Sequence, residues 1–190
     1  DLVALGCSVV VVARSEASRR RALDGGATTI VASLEDITGV EGVVVATPTS
    51  THAAVLRQVL DLGVPVFVEK PLTDDPVSAR ALADRAEDRL FVMDKWRYHP
   101  GIEALGAMAR SGEYGRLLAI HSRRLSWGHD HDDVDAVWIM LPHDLAIVRD
   151  IAGHLPEATS AVGTVSSTKH AALTGLLGPD PVCTVEVSSL

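Results

Sequence analysis

Apolar residues in the first half of the chain occur in short, nearly continuous runs that alternate with amphipathic, helix-like stretches. The apolar runs, predicted as strands, lie at 8–13, 28–32, 42–48, 64–70 and 89–96, and the predicted helices lie at 16–25, 50–62 and 75–87. Strands that are apolar on both sides are typical of parallel sheets covered by helices on both faces. The pattern therefore predicts an α/β fold with a doubly wound parallel sheet.

The pattern changes after His99, where strands that alternate between polar and apolar residues replace the continuous runs. The predicted elements are a helix at 100–112 and strands at 115–127, 164–168 and 182–190. A loop rich in His and Asp follows the first of these strands, and we expect the next helix to begin near Pro142. Alternation indicates a sheet with one covered face. The sequence thus predicts two domains: 1–97 with the parallel sheet, and 98–190, an α+β domain with an open, mainly antiparallel sheet.

Composition and charge narrow the class of protein. The chain has 190 residues, 47% of them hydrophobic, and a net charge of −8. A hydrophobic content of this size can build a folded core, and the acidic balance argues against general binders of nucleic acid or anionic membranes. Two distant cysteines, Cys7 and Cys183, give no metal or disulfide spacing, and no apolar run reaches the roughly 18 residues of a membrane span. We expect a cytoplasmic protein.

Both ends of the sequence look incomplete. The first residues, "DLVALGCSVVVV", resemble the end of a helix followed by a strand, and "VCTVEVSSL" ends in a strand without a turn or partner. No G-x-G-x-x-G occurs in the chain. We therefore expect an internal piece of a longer protein that lacks the first strand and phosphate loop of its parallel sheet.

Polar residues follow three predicted strands, at the edge where open parallel sheets bind ligands. They lie at 14–15, 47–52 and 69–71. At the second position, Thr49, Ser50 and Thr51 also suit the capping of a helix. At the third, Glu69 and Lys70 could simply be a solvated strand end, but Pro71 holds the preceding lysine in an extended conformation.

The motifs "VATPTSTH", "EKP", "WRYHP" and "PHDL", in this order, resemble those of the Gfo/Idh/MocA family. The resemblance covers nearly the whole chain. It implies a Rossmann domain followed by an α+β domain, and an NAD(P)-dependent oxidoreductase that transfers a hydride between the nicotinamide and a sugar, inositol or related polyhydroxy substrate. A non-catalytic dinucleotide-binding or regulatory protein of the same fold is the alternative.

The resemblance also implies site residues. Lys70 corresponds to the active-site lysine, between nicotinamide and substrate hydroxyl, with a cis bond to Pro71, and His143 to a second proton-transfer residue; a helix-capping role for His143 is the alternative. The cofactor contacts implied are Arg14, Ser15, Thr47, Pro48, His52, Glu69, Lys70 and Pro71. The substrate contacts implied are Trp96, Arg97, Tyr98, His143 and Asp144. A structural role at the domain junction is equally open for Arg97, Tyr98 and His99.

Cofactor choice depends on the end of the first strand, where NAD-selective domains usually place an acidic residue. Arg14 and Ser15 stand there instead, and a guanidinium with a hydroxyl suits the 2′-phosphate of NADP. Arg19 or Arg20 could add charge. NAD remains possible, because Glu16 is adjacent and the arginines could simply solvate a helix face.

One position departs from the family pattern. The family form places an aspartate four residues before the histidine, and this chain has Ile139 there. Isoleucine can neither hydrogen-bond a substrate hydroxyl nor orient an imidazole. Substitution by the nearby Asp135 or Asp144 is an alternative, although neither has the same spacing. We expect a slow or specialised dehydrogenase, with loss of hydride transfer as the alternative.

A metal-dependent hydrolase is a weaker alternative. It would use the loop "HDHDDVD", which contains His129, Asp130, His131, Asp132, Asp133 and Asp135. Consecutive residues point in different directions, so they suit a metal poorly, and we expect none. The partners we expect are a small polyhydroxy substrate and a second copy of the chain, which would pair through the second sheet.

Overall fold

The structure is a computed structural model that describes residues 2–127, 134–166 and 169–190. Within these ranges no helix is long and apolar enough to cross a bilayer.

The described residues of the first half contain five strands, and every pairing between them is parallel. Its main elements are β1 (Val10–Val12), α1 (Glu16–Asp24), β2 (Thr29–Val31), β3 (Val43–Val45), α2 (Thr49–Val59), β4 (Val66–Glu69), α3 (Pro76–Ala86) and β5 (Leu90–Met93). In the described residues β1 pairs with β2, and β4 lies between β3 and β5. The predicted α/β class with parallel strands is confirmed.

The core of this half lies on one side of the three-stranded sheet. Val66 and Val68 of β4 are fully buried and pack with Leu56 of α2 and Leu82 of α3. Phe67, between the two valines, points to the opposite face and stacks on a phenylalanine of β5 with ring centroids 5.0 Å apart. The helices therefore fix the orientation of β4, whose last residue is Glu69.

Helix starts in this half follow different rules. Ser15 caps α1 and exchanges hydrogen bonds with Ser18, the arrangement called a capping box. At α2 the capping expected from Thr49, Ser50 and Thr51 is wrong, because all three lie inside the helix. Pro48 is the N-cap residue, and Thr51 Oγ1 donates to its carbonyl over 2.7 Å.

The second half is a mixed sheet covered by one long helix. Its elements are α4 (Pro100–Ser111), β6 (Ala119–Leu125), α5 (Ala136–Ala152), β7 (Ala158–Ser166), β8 (Lys169–Leu177) and β9 (Val182–Ser188), and the strand order is β6-β9-β8-β7. β6 and β9 are parallel, whereas the other pairs are antiparallel. The sheet is thus open and mainly antiparallel, as predicted, but β8 was missed because its Ala and Gly residues have weak strand propensity.

The start predicted for α5 near Pro142 is wrong. The helix begins at Ala136 and contains Pro142 in its interior. The N-cap is Asp135, whose Oδ1 accepts hydrogen bonds from the amides of Val137 and Trp138, both over 3.1 Å. Proline is most favourable at the first helical position, and the prediction relied on that preference.

α5 crosses one face of the mixed sheet and forms the second core. Val148 is fully buried against Ile120 of β6 and Val185 of β9. Closer to its beginning, α5 buries Met140 with Val187 of β9. The first two turns of α5 thereby come to lie near the carboxyl end of β4.

Candidate active site

A cavity of about 680 Å³ opens where the carboxyl end of β4 meets α5 and β6. Its lining residues are Glu69, Lys70, Met93, Lys95, Trp96, Tyr98, Arg124, Leu125, Ser126, Ile139, Met140 and His143. A cavity of this volume is typical of small-molecule sites. The structure thus brings together residues that lie more than seventy positions apart in the sequence.

Lys70 connects the two halves of the molecule. It follows the last residue of β4, its peptide bond to Pro71 is cis, and its Nζ donates to the carbonyl oxygen of Ile139 over 3.0 Å. Partial burial lowers the pKa of Lys70, while the charge of Glu69 opposes that shift. A lowered pKa brings the amine closer to exchanging protons with a bound hydroxyl.

His143 lies on the α5 side of the same cavity and is buried. Its Nδ1 lies 3.5 Å from Oδ1 of Asp94, which is also buried, and has no hydrogen bond within the described ranges. The ring meets Trp96 edge to face, with centroids 6.4 Å apart. Because α5 begins at Ala136, His143 lies inside the helix and not at its cap. The alternative of a capping histidine is wrong.

Sequence reasoning missed the residues of β6 that contribute to the cavity. Asp144, 1% exposed, lies behind the cavity and accepts from Ser122 Oγ over 2.5 Å and from Arg124 Nε over 2.7 Å. The Arg124 guanidinium lies 4.9 Å from the ring centroid of Trp96. Asp144, predicted to contact substrate, thus holds Arg124 at the wall. The alternation of β6, which places positions 122 and 124 on one face, was the available signal.

His52 is buried against two backbone carbonyls. Its Nδ1 lies 3.0 Å from the Pro71 oxygen, and its Nε2 lies 2.8 Å from the Thr47 oxygen. The residue was predicted to contact the cofactor, and the structure shows that it joins the ends of β3 and β4. It therefore supports the segment that carries Lys70.

Residues 96–99, the motif after β5, have two different kinds of position. Trp96 and Tyr98 line the cavity. Arg97 forms a salt bridge with Asp150 of α5, with 3.3 Å between Nε and Oδ1, and His99 caps α4 through a bond from the Gly101 amide. Two of the residues are thus placed to meet a ligand, and two have structural roles at the junction.

Arg14 and Ser15 lie at the carboxyl end of β1, away from the cavity lining. Arg14 is exposed, and the Ser15 hydroxyl is engaged in capping α1. Arg19 turns back to the strand end, where its Nε donates to the Ala13 carbonyl over 3.3 Å.

The metal alternative depends on residues that the structure does not describe. His129, Asp130, His131, Asp132 and Asp133 lie outside the described residues. Asp135 is the N-cap of α5 and also pairs with His170, with 3.0 Å between Oδ2 and Nδ1. In the described part of the chain no three His, Cys, Asp or Glu side chains form a group that could hold a metal.

Comparisons with known proteins agree on one family. Residues 6–93 match the sequence model of the Gfo/Idh/MocA oxidoreductase family with an NAD-binding Rossmann fold. A UDP-N-acetylglucosamine 3-dehydrogenase from Acidithiobacillus ferrooxidans is 32% identical over 136 residues, 70% of this chain and 42% of that protein. An inositol 2-dehydrogenase from Renibacterium salmoninarum is 33% identical over 143 residues, covering 70% of this chain and 43% of the relative.

The fold comparison extends over the second half as well. A solved levoglucosan dehydrogenase, in complex with NADH and levoglucosan, superposes with a TM-score of 0.85 at 16% identity, covering 95% of this chain and 57% of that one. The chain spans less than half the length of the two curated relatives. From the motifs, the fold and these relatives together, the chain belongs to the Gfo/Idh/MocA family of oxidoreductases.

Proposed function

We propose that the protein is an NAD(P)-dependent dehydrogenase that oxidises a CH–OH group of a sugar, inositol or related polyhydroxy compound. The observation that carries the proposal is the meeting of Lys70 and His143 in one cavity at the carboxyl end of β4. Ligands of open parallel sheets bind at that edge. The curated relatives act on inositol and on UDP-N-acetylglucosamine.

The residues of the cavity fit the nicotinamide end of a dinucleotide and a substrate beside it. When bound, the nicotinamide supplies the hydride acceptor. Lys70 then accepts the proton of the substrate hydroxyl, and its lowered pKa favours that transfer. In the reverse direction the protonated amine donates to the carbonyl oxygen. His143 is the second group that exchanges a proton with the substrate, and Glu69 stabilises the charged form of Lys70.

The test is turnover by the full-length protein. Purified protein with NAD or NADP and a panel of polyols and sugars should produce the absorbance of reduced nicotinamide. Lys70→Met should lower kcat by at least about a hundredfold, the scale of a lost proton-transfer group, with cofactor binding retained. Unchanged turnover in this variant would refute the role of Lys70, and no turnover with any substrate would favour the non-catalytic alternative.

We further propose a preference for NADP over NAD. Arg14 is exposed at the end of β1 and forms no ion pair within the described ranges, so its guanidinium is available to a 2′-phosphate. Arg14→Asp should erase or reverse the preference, and Arg21→Asp, at an exposed arginine of α1 that is not a candidate contact, shows how much of the effect is due to charge alone. Equal affinities for NADPH and NADH in the unmodified protein would contradict the proposal.

We also propose that the chain divides into two domains, 1–97 and 98–190. The short 3-10 turn Lys95–Tyr98 separates the parallel sheets from the mixed sheet, which supports a boundary there. The pairing of two copies through the mixed sheet stays a prediction.

A further inference from the structure

The side chains that line the cavity carry a net positive charge, whereas the chain as a whole is acidic. Among its lining residues in the described part of the chain, the cations are Lys70, Lys95 and Arg124. Glu69 is the acidic residue of that lining, whereas the whole chain has a net charge of −8. Lysines and arginines gathered in a concave site attract anions.

Arg124 is held as a rigid donor at the wall of this cavity. Its Nε is bound to the buried carboxylate of Asp144, and the face of Trp96 lies 4.9 Å from the guanidinium carbon. Ser122 fixes the other oxygen of Asp144. A buried carboxylate is costly unless it is paired, so this arrangement keeps the guanidinium in one orientation.

The remaining donors of Arg124 are free of protein partners within the described ranges. Its one protein hydrogen bond there uses Nε and leaves both terminal nitrogens, Nη1 and Nη2. The Arg124 side chain is 23% exposed, and the residue lines the cavity. Lys95 lines the same cavity, is exposed and forms no salt bridge in the described part of the chain. A planar guanidinium with two free nitrogens matches an oxyanion.

We propose that the substrate of this site is a polyhydroxy compound that carries a carboxylate or a phosphate, bound by Arg124 with support from Lys95. The proposal rests on the dehydrogenase function proposed above and specifies its substrate class. The oxyanion holds one end of the substrate at the β6 wall, while the reacting hydroxyl faces Lys70. A neutral sugar leaves the guanidinium nitrogens without their charged partner.

The experiment compares matched substrates in the full-length protein. Hexoses of gluco, galacto and manno configuration are assayed beside the corresponding uronate and 6-phosphate, so that the two sources of the oxyanion are separated. In at least one series the uronate or the phosphate ester should have a kcat/KM at least about tenfold above that of the neutral sugar, the scale of one charge-assisted hydrogen bond. Neutral sugars equal to or better than both anionic forms in every series would overturn the proposal.

Variants assign the preference to Arg124. Arg124→Gln should remove the advantage of the anionic substrate, lowering its kcat/KM at least about tenfold more than that of the neutral substrate. The matched control is Arg123→Gln, since Arg123 lies on the opposite face of β6 and pairs with Glu186, with 2.8 Å between Nε and Oε2. A loss of equal size for neutral and anionic substrates would overturn the proposal.

Folding and turnover are controlled separately. Arg124→Gln leaves Asp144 unpaired in the interior, so a double variant with Arg124→Gln and Asp144→Asn is assayed beside it. Circular dichroism checks that both variants are folded.

If no substrate turns over, the proposed function fails, and titration of tryptophan fluorescence then tests the anion site independently. Saturable binding of the uronate or phosphate that Arg124→Gln abolishes supports the site, and equal binding of neutral sugar overturns it.

Discussion

At the scale of single residues, the chemistry of the site depends on side chains whose surroundings change their ordinary behaviour. Lys70 is partly buried and bound to a backbone carbonyl of α5, and burial lowers its pKa. His143 and Asp94 are both buried at the same junction. "EKP" and "PHDL" identified Lys70 and His143 as candidates from the sequence, whereas the contact partners of both residues come from the fold.

The pKa of Lys70 leads to a pH prediction. In the proposed mechanism, neutral Lys70 accepts the proton of the substrate hydroxyl, so alcohol oxidation should rise with pH as Lys70 deprotonates. Because burial lowers the pKa, the midpoint of that rise in kcat/KM should lie below the ordinary lysine value of 10.5. Lys70→Arg keeps a cation that does not deprotonate and should abolish the rise. An unchanged profile in this variant would show that another group titrates.

Ile139 gives a second residue-scale prediction. Ile139 is a lining residue of the cavity one helical turn before His143, and its carbonyl oxygen accepts a hydrogen bond from Lys70. Its side chain is buried in a cluster with Val134 and Met140. Ile139→Asp places a carboxylate near Lys70 and His143, the two proposed proton-transfer groups, and should raise kcat about tenfold, which is about 1.4 kcal/mol of transition-state stabilisation. Ile139→Asn is the uncharged control. If the unmodified protein already turns over at about 10 per second and the aspartate variant is no faster, the interpretation of position 139 is wrong.

At the scale of elements, the helices that build the site are positioned by their first residues. Asp135 caps α5 and also binds the amide and Nδ1 of His170 in β8, which fixes the helix start against the sheet. His52, in the first turns of α2, binds Pro71 after β4. These side-chain contacts set where α5 and β4 meet.

The α5 cap can be tested by stability. Burial favours the protonated form of Asp135, but hydrogen bonds from the Trp138 amide and from His170 outweigh it and lower its pKa. The stabilisation by ionised Asp135 should therefore be complete above about 3.9, the pKa of aspartate in the unfolded chain. It should be lost as the pH falls through the lower pKa that Asp135 has in the folded protein. At neutral pH, Asp135→Ala should reduce the free energy of unfolding by about 1–2 kcal/mol. Asp135→Asn, which can still cap the helix, should retain most of that stability. Urea denaturation measures both variants, and an alanine variant as stable as the unmodified protein would contradict the capping role of Asp135.

The sequence predicted the elements with unequal success, and particular residues show why. Continuous valines located β3 and β4, because a strand buried on both faces has a strong local signature. The proline at 142 misled the prediction of α5, because its tolerance inside a helix depends on tertiary packing. β8 was missed because burial against α5 outweighs the weak strand propensity of its Ala and Gly residues.

At the scale of the whole molecule, packing is uneven. In the mixed sheet, β6, β8 and β9 bury residues under α5, whereas every residue of β7 is exposed. β4 lies between two strands with helices against it. In contrast, Ala13 is the one buried residue of 2–42. β1 and β2 pair with each other, and in the described residues they share no ladder with the sheet of β3, β4 and β5.

This contrast predicts how the 190-residue chain exchanges amide hydrogens. Few buried contacts mean a low free energy of local opening, so amides of β1, α1 and β2 should exchange at least about a hundredfold faster than those of β4 and β9. Hydrogen exchange followed by mass spectrometry measures both regions in one sample, and the protected β9 serves as the internal reference. Equal protection in the two regions would show that β1 and β2 are as stable as the cores.

By itself, the sequence determined the α/β class, the family and the candidates Lys70 and His143, because strand burial and strand-exit motifs are encoded in contiguous residues. The tertiary structure decided that Lys70 binds the carbonyl of Ile139 and that Asp144 holds Arg124 at the cavity wall. Those contacts join residues 69 and 20 positions apart. No local pattern encodes them, because they form only when α5 packs across the mixed sheet and brings its first turns to the end of β4.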